Sequence, residues 1–289
     1  MFEVERQMKR LDFYPDRYYA INVSGGRTSG YMLRKILDHC GGVLPDNVIA
    51  AFMNTGKERD EALDFVKKMQ HEWDVEIVWL EYRYNTTAKG WSRDPKNTFA
   101  VVDYETASRK GEPFEQLILA RSFLPNVFQR VCTQELKVNT LARYMRKRFN
   151  ITSKQIINLI GIRRDERKRA HRIFERDCGV QMPLYENHIY LDDITEFWKN
   201  NQFDLQLPFH SRFSNCDLCF LKGRGMLIQN IKEEPERADW WMRMEEGVVE
   251  RKISKFNKNV TVKELVSLAE QPGLFDDEED QGFSCFCGD

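Results

Sequence analysis

The sequence lacks an apolar run long enough to cross a membrane, although 42% of its 289 residues are hydrophobic. A spanning helix needs about 18 to 20 consecutive apolar residues. The first six residues, MFEVER, also lack the charged-then-apolar order of a secretory signal. These two absences predict a cytoplasmic protein with no membrane partner. In that reducing compartment the seven cysteines are not expected to form a disulfide framework, which favours metal-binding or catalytic roles for them.

Two widespread phosphate-binding patterns are absent as well, the Walker pattern GxxxxGK(S/T) and the dinucleotide pattern GxGxxG. In their place SGGRTSG, at residues 24–30, lies between an apolar run and a helical pattern. Two glycines let backbone N–H groups converge, and the following helix adds the positive end of its dipole. An ordinary βα turn is the competing interpretation of this stretch alone. The candidate phosphate-binding residues are Ser24, Gly25, Gly26, Arg27, Thr28 and Ser29.

Strand and helix patterns alternate after this loop. Residues 47–53, 75–82 and 156–161 have the pattern of buried strands, and residues 58–73 that of an amphipathic helix. The alternation predicts an α/β fold, a Rossmann-like parallel sheet with helices on both faces. Further helices are predicted at 114–121, 133–149, 192–200, 226–232, 235–245 and 262–270, which makes the C-terminal portion mainly helical.

The chain has no linker clear enough to separate two independent domains. We divide it into a nucleotide-binding α/β domain at 1–205 and a helical portion at 206–289, which carries a CxxC motif and an acidic, cysteine-containing tail. The two parts can also form one domain. Residues 85–113 show no clear period, which predicts an irregular insertion or a lid over the site.

The net charge of −1 conceals a strong asymmetry. Residues 121–176 hold fifteen Lys or Arg against four Asp or Glu, a local excess of +11, while residues 270–289 hold seven acids and no Lys or Arg. A solvated basic face is the ordinary reading of such a run. An excess this large also suits a polyanion, so the basic stretch 121–176 predicts contact with nucleic acid or with nucleotide phosphates.

Two further segments follow predicted strands, FMNTGKE at 52–58 and LIGIRRDE at 159–166. The glycine loop resembles the SGGxxS loop of the PP-loop superfamily of adenine nucleotide alpha-hydrolases. The other two segments resemble the NTG…E and GxR…E/S segments of its phosphoadenosine phosphosulfate (PAPS) reductase family. The resemblance implies a PP-loop ATPase fold and a site for ATP or a PAPS-like adenine nucleotide, usually with Mg²⁺.

The same resemblance assigns roles to single residues. Asn54, Thr55 and Gly56 would meet the adenine or ribose, and Gly161 would let the nucleotide approach closely. Arg163 would bind phosphate or sulfate, for which a planar guanidinium is suited. Arg27 and Arg163 are then the residues expected to stabilise charge during catalysis.

The cysteines predict sulfur or metal chemistry. Cys132 and the CxxC pair Cys216 and Cys219 resemble the cluster ligands of sulfonucleotide reductases that bind a 4Fe–4S cluster, except that Thr133 stands where a second adjacent cysteine is expected. Cys285 from the tail is our candidate for the fourth ligand, with Cys287 as the alternative. A further alternative is that the fourth iron stays open, as in thiolation enzymes with three cysteine ligands, and zinc is the alternative occupant. The tail also resembles the mobile nucleophilic segment of those reductases, which makes Cys287 a candidate nucleophile.

These features leave three functions open. The first is iron–sulfur-dependent, ATP-driven sulfur transfer to a nucleic acid or nucleotide, with a sulfur donor or reductant protein as partner. The second is reduction of a PAPS- or APS-type sulfonucleotide. The third is a non-catalytic nucleotide-binding or defence-related module.

Overall fold

A six-stranded sheet lies at the centre of the protein, seen in a computed structural model that describes residues 11–87, 96–175, 179–209, 216–247 and 255–271. The inner strands are continuous apolar runs, as expected of strands covered on both faces. The strands are β1 (Tyr18–Val23), β2 (Val48–Asn54), β3 (Ile77–Tyr84), β4 (Asn97–Val102), β5 (Ile156–Leu159) and β6 (Val180–Gln181).

Helices separate most of the strands and make up most of the described C-terminal portion. They are α1 (Arg27–His39), α2 (Asp60–Glu72), α3 (Glu112–Arg121), α4 (Thr140–Phe149), α5 (Arg167–Phe174), α6 (Pro183–Glu186), α7 (Leu191–Asn200), α8 (Arg224–Glu233), α9 (Ala238–Glu246) and α10 (Val262–Ala269). A π-helical segment, Thr133–Asn139, runs directly into α4, and 3₁₀ turns occupy Ser153–Gln155 and Pro235–Arg237. None of the helices in the described ranges combines the length and apolar character needed to cross a bilayer.

The order of strands reverses in the middle of the sheet. The order is β4-β3-β2-β1-β5-β6, and every pair is parallel except β3 with β4. The chain therefore winds from β1 outward through β2 to β3, and later returns to place β5 on the other side of β1. In open α/β sheets, ligands bind beyond the carboxyl ends of the strands at such a reversal. The glycine loop leaves β1 at this position.

Helices cover both faces of the sheet, which confirms the predicted α/β architecture. On one face Ile21 and Phe52 pack with buried side chains of α1, α2 and α7, including Trp198. On the other face Ala51 and Leu80 pack with buried side chains of α4. Successive residues of one strand thus enter different cores, as the period of two requires.

Residues 85–113 differ in part from the predicted irregular insertion. Residues 88–95 lie outside the described residues, but Asn97–Val102 pairs antiparallel with β3 as an edge strand. The predicted helix at 133–149 is also more complex, because its first half is π-helical. π-helical turns are uncommon and often mark functional sites. The short elements β6 and α6 and the helix α5 were not predicted.

The C-terminal helices share their core with the N-terminal part of the chain. Buried side chains of α8, α9 and α10 pack with Phe114 and Leu117 of α3, with Tyr82 of β3 and with Leu136 of the π-helical segment. The mainly helical C-terminal portion is confirmed within the described ranges, whereas the boundary between 205 and 206 stays a prediction.

Gly30 tests how tightly α1 packs against α2 and α7. A Cβ added there would lie 2.8 Å from Met69 Sδ and 2.9 Å from Trp198 Cζ2. Ala in place of Gly favours a helix by about 1 kcal/mol, but overpacking a buried site costs roughly 1–3 kcal/mol. The Met69 side chain can yield, whereas the buried Trp198 ring cannot. We therefore expect Gly30→Ala to lower the free energy of unfolding, measured by urea denaturation.

Gly247 provides the matched control, because its nearest contact for an added Cβ is Arg243 O at 3.3 Å and its φ of −68° suits alanine. Gly247→Ala should leave the stability unchanged or slightly higher. An unchanged stability of Gly30→Ala would contradict the packing described for α1.

Candidate functional site

The glycine loop turns sharply from β1 into the first turn of α1. Gly25 has a φ of +79°, in the left-handed region that favours glycine, and an added Cβ would lie 3.1 Å from the Ala62 side chain. α1 then begins at Arg27 with no acidic residue in its first turn. The first N–H groups of a helix have no partner within that helix and attract anions. The loop therefore has the geometry of an anion-binding helix entry.

Ser29 braces this loop from within. Its Oγ accepts a hydrogen bond from Ser24 N at 3.0 Å and donates one to Gly26 O at 2.9 Å. It also lies 2.9 Å from Ser24 Oγ. The Ser29 hydroxyl, predicted to contact phosphate, is thus engaged in holding the shape of the loop.

The end of β5 packs directly against the same helix turn. A Cβ added at Gly161 would lie 3.4 Å from both Ser29 N and Ser29 Cα. Arg163 is buried, and its guanidinium donates to Thr28 Oγ1 at 3.2 Å and to Asp165 Oδ2 at 3.2 Å. Two of the three predicted segments, the glycine loop and the segment at 159–166, are therefore brought together.

A cleft opens where these elements meet. Its cavity volume is about 50 Å³, below the range of about 300–1000 Å³ typical of small-molecule sites, and its mouth is open to solvent. The cleft lies at the reversal of strand order between β1 and β5. Its lining residues are Asn22, Val23, Ser24, Ser29, Met53, Thr133, Lys137, Val138, Ile160, Gly161 and Arg169.

Two cations that line the cleft are not among the residues predicted for the site. Lys137, in the π-helical segment, lies 3.8 Å from Glu58 Oε1. Arg169, on α5, donates to Glu166 Oε1 at 2.7 Å, but its buried Nε has no hydrogen-bond partner among the described residues. Arg169 belongs to the basic stretch 121–176, for which the sequence predicts a solvated face or contact with a polyanion. Its position beside Ala170 and four residues before Ile173, both buried, is the signal that could have identified it as an inward arginine.

Arg27 is directed away from the cleft. Its guanidinium forms two 2.7 Å hydrogen bonds with the Asp204 carboxylate, donates to Leu205 O and Leu207 O, and lies 3.8 Å from the centre of the Phe209 ring. Arg27 therefore stabilises the position of the chain that follows α7. Its predicted contact with phosphate has no support in this arrangement.

Asn54, Thr55 and Gly56 also lie away from the cleft, although their neighbour Met53 lines it. Asn54 is fully buried and donates to Glu81 Oε1 at 2.6 Å and Ser108 O at 2.8 Å. Thr55 Oγ1 donates to the Glu58 carboxylate. Gly56 has a φ of +76°, and a Cβ added there would lie 2.9 Å from Gly111 N. These three residues join β2 to its neighbours, which does not support a contact with adenine or ribose.

The three cysteines of the predicted cluster share one apolar core. Cys216 and Cys219 are buried and Cys132 is half-buried against the same cluster. Thr55 Oγ1 lies 3.6 Å from Cys216 Sγ. No group of three or more His, Cys, Asp or Glu side chains is arranged to hold a metal ion in the described part of the chain. Cys285 and Cys287 lie outside the described residues. The described thiols alone therefore do not fit a 4Fe–4S or zinc site.

A buried polar network surrounds the CxxC pair. Asp217 forms a 2.9 Å ion pair with Lys57 and accepts from Trp241 Nε1 at 2.7 Å. Lys222 Nζ donates to Cys216 O at 3.0 Å and Asp217 O at 2.9 Å. Burial lowers the pKa of Lys222, although the nearby thiols and Asp217 oppose that shift. The network ties the CxxC turn to Lys57, the third residue after the end of β2.

A second buried carboxylate anchors the π-helical segment. Glu135 pairs with Arg121 of α3 and with Arg143 of α4, the latter at 2.7 Å. Burial by itself raises the pKa of Glu135, but the hydrogen bond and charge of Arg143 and the charge of Arg121 bring that pKa below its ordinary value. The carboxylate therefore stays ionised and fixes the segment whose Thr133 and Lys137 line the cleft.

Fold and site together define a doubly wound α/β protein with a glycine-containing βα loop and a cleft at the reversal of strand order. No family model matches the chain. An uncharacterized nin region protein, ORF290 of Escherichia phage lambda, is 28% identical over 220 residues, which cover 74% of this chain and 69% of that protein.

Among solved structures, the U34-tRNA thiolase NcsA from Methanococcus maripaludis with its 4Fe–4S cluster aligns over 91% of this chain and 84% of its own. The TM-score is 0.37 and the identity is 14%. Neither similarity is close enough to assign this chain to a family or to transfer a chemistry to it.

The ion pair of Asp217 with Lys57 gives a test of how the CxxC region is held. Both side chains are at least 93% buried, with exposures of 2% and 7%. Removing one partner of such a pair leaves an uncompensated buried charge and costs roughly 3–5 kcal/mol. We expect Asp217→Ala to lower the free energy of unfolding by about that amount in urea denaturation.

The exposed pair of Lys67 with Glu105, at 53% and 75% exposure, is the control, because exposed pairs contribute little. Glu105→Ala should change stability little. Equal effects of the two variants would exclude a special role for the buried pair.

Proposed function

We propose that this protein is a PP-loop enzyme that binds the phosphates of an adenine nucleotide in the cleft between the glycine loop and α5. The observation that carries the proposal is the Arg169 guanidinium, whose buried Nε lacks an acceptor among the described residues. A buried donor left unpaired costs roughly 1–3 kcal/mol. A phosphate oxygen would supply the acceptor, and the first turn of α1 offers further N–H donors at the same cleft.

The reaction we propose is cleavage of ATP to AMP and pyrophosphate. An acceptor oxygen attacks the α-phosphorus, the new P–O bond forms, and the bond to the β-phosphate oxygen breaks with release of pyrophosphate. Negative charge grows on the leaving group, where Lys137 and Arg169 are the cations that line the cleft. Arg163, bonded to Thr28, would position the α1 turn.

Sulfur transfer is the second half of the proposed reaction. A sulfur nucleophile from a donor protein would displace AMP from the activated acceptor. Support comes from Cys132, which directly precedes the cleft residue Thr133 and packs against the cluster that holds Cys216 and Cys219. We derive no step through an iron–sulfur cluster, because the described thiols do not form its ligand set.

Nucleotide binding by Arg169 variants tests the first half. Charge-assisted hydrogen bonds contribute roughly 1.5–3 kcal/mol, so Arg169→Gln should weaken ATP binding about ten- to a hundredfold in calorimetric titration with Mg²⁺. Arg172→Gln, an exposed arginine of the same helix, is the matched control and should bind as wild type. Thermal unfolding of both variants checks that the loss is not one of folding.

The nucleotide preferred by the wild-type protein separates the alternatives. Release of pyrophosphate from ATP, abolished in Ser24→Ala, supports the proposal. Tight binding of PAPS with reduction of its sulfur and no turnover of ATP would favour the reductase instead. Binding of ATP without pyrophosphate release, even with nucleic acid added, would point to a non-catalytic module.

Metal content tests the predicted cluster. Anaerobically purified protein should contain iron and sulfide and absorb broadly in the visible if Cys132, Cys216 and Cys219 ligate a cluster with a tail cysteine such as Cys285. Cys216→Ser should then lose the iron, while Cys40→Ser, at a half-buried cysteine of α1's end, should keep it. A colourless protein that contains zinc, or no metal, would exclude the cluster.

A further inference from the structure

An exposed aromatic ring stands on the loop between α3 and the π-helical segment. Phe128 is 77% exposed. The buried Asn126 holds this loop, since its Oδ1 accepts from Phe128 N at 2.9 Å and Gln129 N at 3.0 Å, and Asn126 N donates to Gln129 O at 3.2 Å. A buried side chain thus fixes the turn that presents the ring to solvent.

A polar groove lies on the surface of the C-terminal helices. Its cavity volume is about 720 Å³, much larger than the 50 Å³ of the cleft between the glycine loop and α5. We call it the C-terminal groove. Most of its lining side chains are amides, hydroxyls or cations, which suit phosphates and base edges. Its lining residues are Arg224, Asn257, Asn259, Val260, Lys263, Glu264, Ser267, Leu268 and Gln271.

Lys258 joins the ring to the groove. It stands in the chain between Asn257 and Asn259, which both line the groove, and its Nζ lies 5.8 Å from the centre of the Phe128 ring. An exposed ring, a lysine and a polar groove are therefore contiguous on one surface.

The charges of this surface favour an anionic ligand. Arg224, Lys258 and Lys263 are positive, and Glu264 is the acid among the lining residues. The Glu264 carboxylate accepts from Thr261 N at 2.6 Å and from Thr261 Oγ1 at 3.0 Å at the start of α10. These bonds lower the pKa of Glu264, so its carboxylate stays ionised, and the three cations outnumber this one negative charge.

We propose that Phe128 and the C-terminal groove bind single-stranded nucleic acid, with an unpaired base stacked on the ring and the backbone phosphates along the groove. Aromatic rings beside a basic groove are the common means of holding single strands. A duplex hides the faces of its bases, so an exposed ring selects unpaired ones. An acidic protein would use the charges but would have no need of the ring.

The inference rests on the proposed function, because nucleic acid bound here would be the acceptor of the sulfur. The chain leads from Phe128 to Thr133 of the cleft in five residues, which span at most about 18 Å when extended. An acceptor base near Phe128 thus lies within reach of the nucleotide cleft.

Fluorescence anisotropy with labelled fifteen-nucleotide oligouridylate and oligothymidylate tests the inference, and the two probes separate RNA from DNA. Phe128→Ala should weaken binding at least fivefold or so, and Phe128→Trp should retain it, because stacking on an aromatic side chain is the main contribution. Lys263→Ala should reduce the dependence of binding on salt. Phe174→Ala, which removes a 54% exposed ring from α5, is the matched control and should bind as wild type.

Equal affinity of the wild type and Phe128→Ala for the single strands, or tighter binding of a duplex, would overturn the inference. Displacement of the oligonucleotide by polyglutamate at equal concentration would do the same and would indicate an acidic protein as partner. Binding is measured without nucleotide, and pyrophosphate release is measured on wild-type protein. The failure of one proposal is therefore distinguishable from failure of the other.

Discussion

The buried ion pair between Lys57 and Asp217 is the contact on which the arrangement of this protein depends. Lys57 follows the carboxyl end of β2, and Asp217 lies inside the CxxC turn. One interaction therefore joins the carboxyl end of an inner strand to the C-terminal part of the chain. Two charges in a low-dielectric core are stable only when their remaining hydrogen-bonding groups are satisfied. Trp241 Nε1 and the Leu218 N–H, both donating to Asp217 Oδ1, complete that requirement. The pair therefore specifies one position for the CxxC turn.

This constraint explains why the residues after β2 do not face the nucleotide cleft. Gly56 approaches Gly111, Gly111 approaches Trp240, and in both places an added Cβ would lie within 3 Å of its neighbour. A segment packed this closely on both sides has no surface left for an adenine ring. The cleft is lined instead by residues of α5 and the π-helical segment. Their cations, Arg169 and Lys137, are the groups that we propose to contact the phosphates. The nucleotide would then be held chiefly at its phosphates.

The sheet was predictable because its inner strands are long apolar runs separated by amphipathic helices. The edge strand β4 was not, since its residues are half-buried or exposed on both faces and show no clean alternation. In the site, Gly161 and Ser24 were predictable from their positions after β5 and β1. The orientation of Arg27 was not, because it is decided by Asp204, which is 177 residues away in the sequence. Arg169 and Lys137 were missed for a related reason: a basic stretch gives no indication of which of its side chains turn inward.

The π-helical segment links the three surfaces to which we assign chemistry. Cys132 at its start packs on the cysteine-containing core, Thr133 and Lys137 line the cleft, and the loop before it carries Phe128. Glu135, fixed between Arg121 and Arg143, holds the segment in register with α3 and α4. The segment that Glu135 fixes is thus the physical link between the cysteine-containing core, the cleft and the loop that carries Phe128.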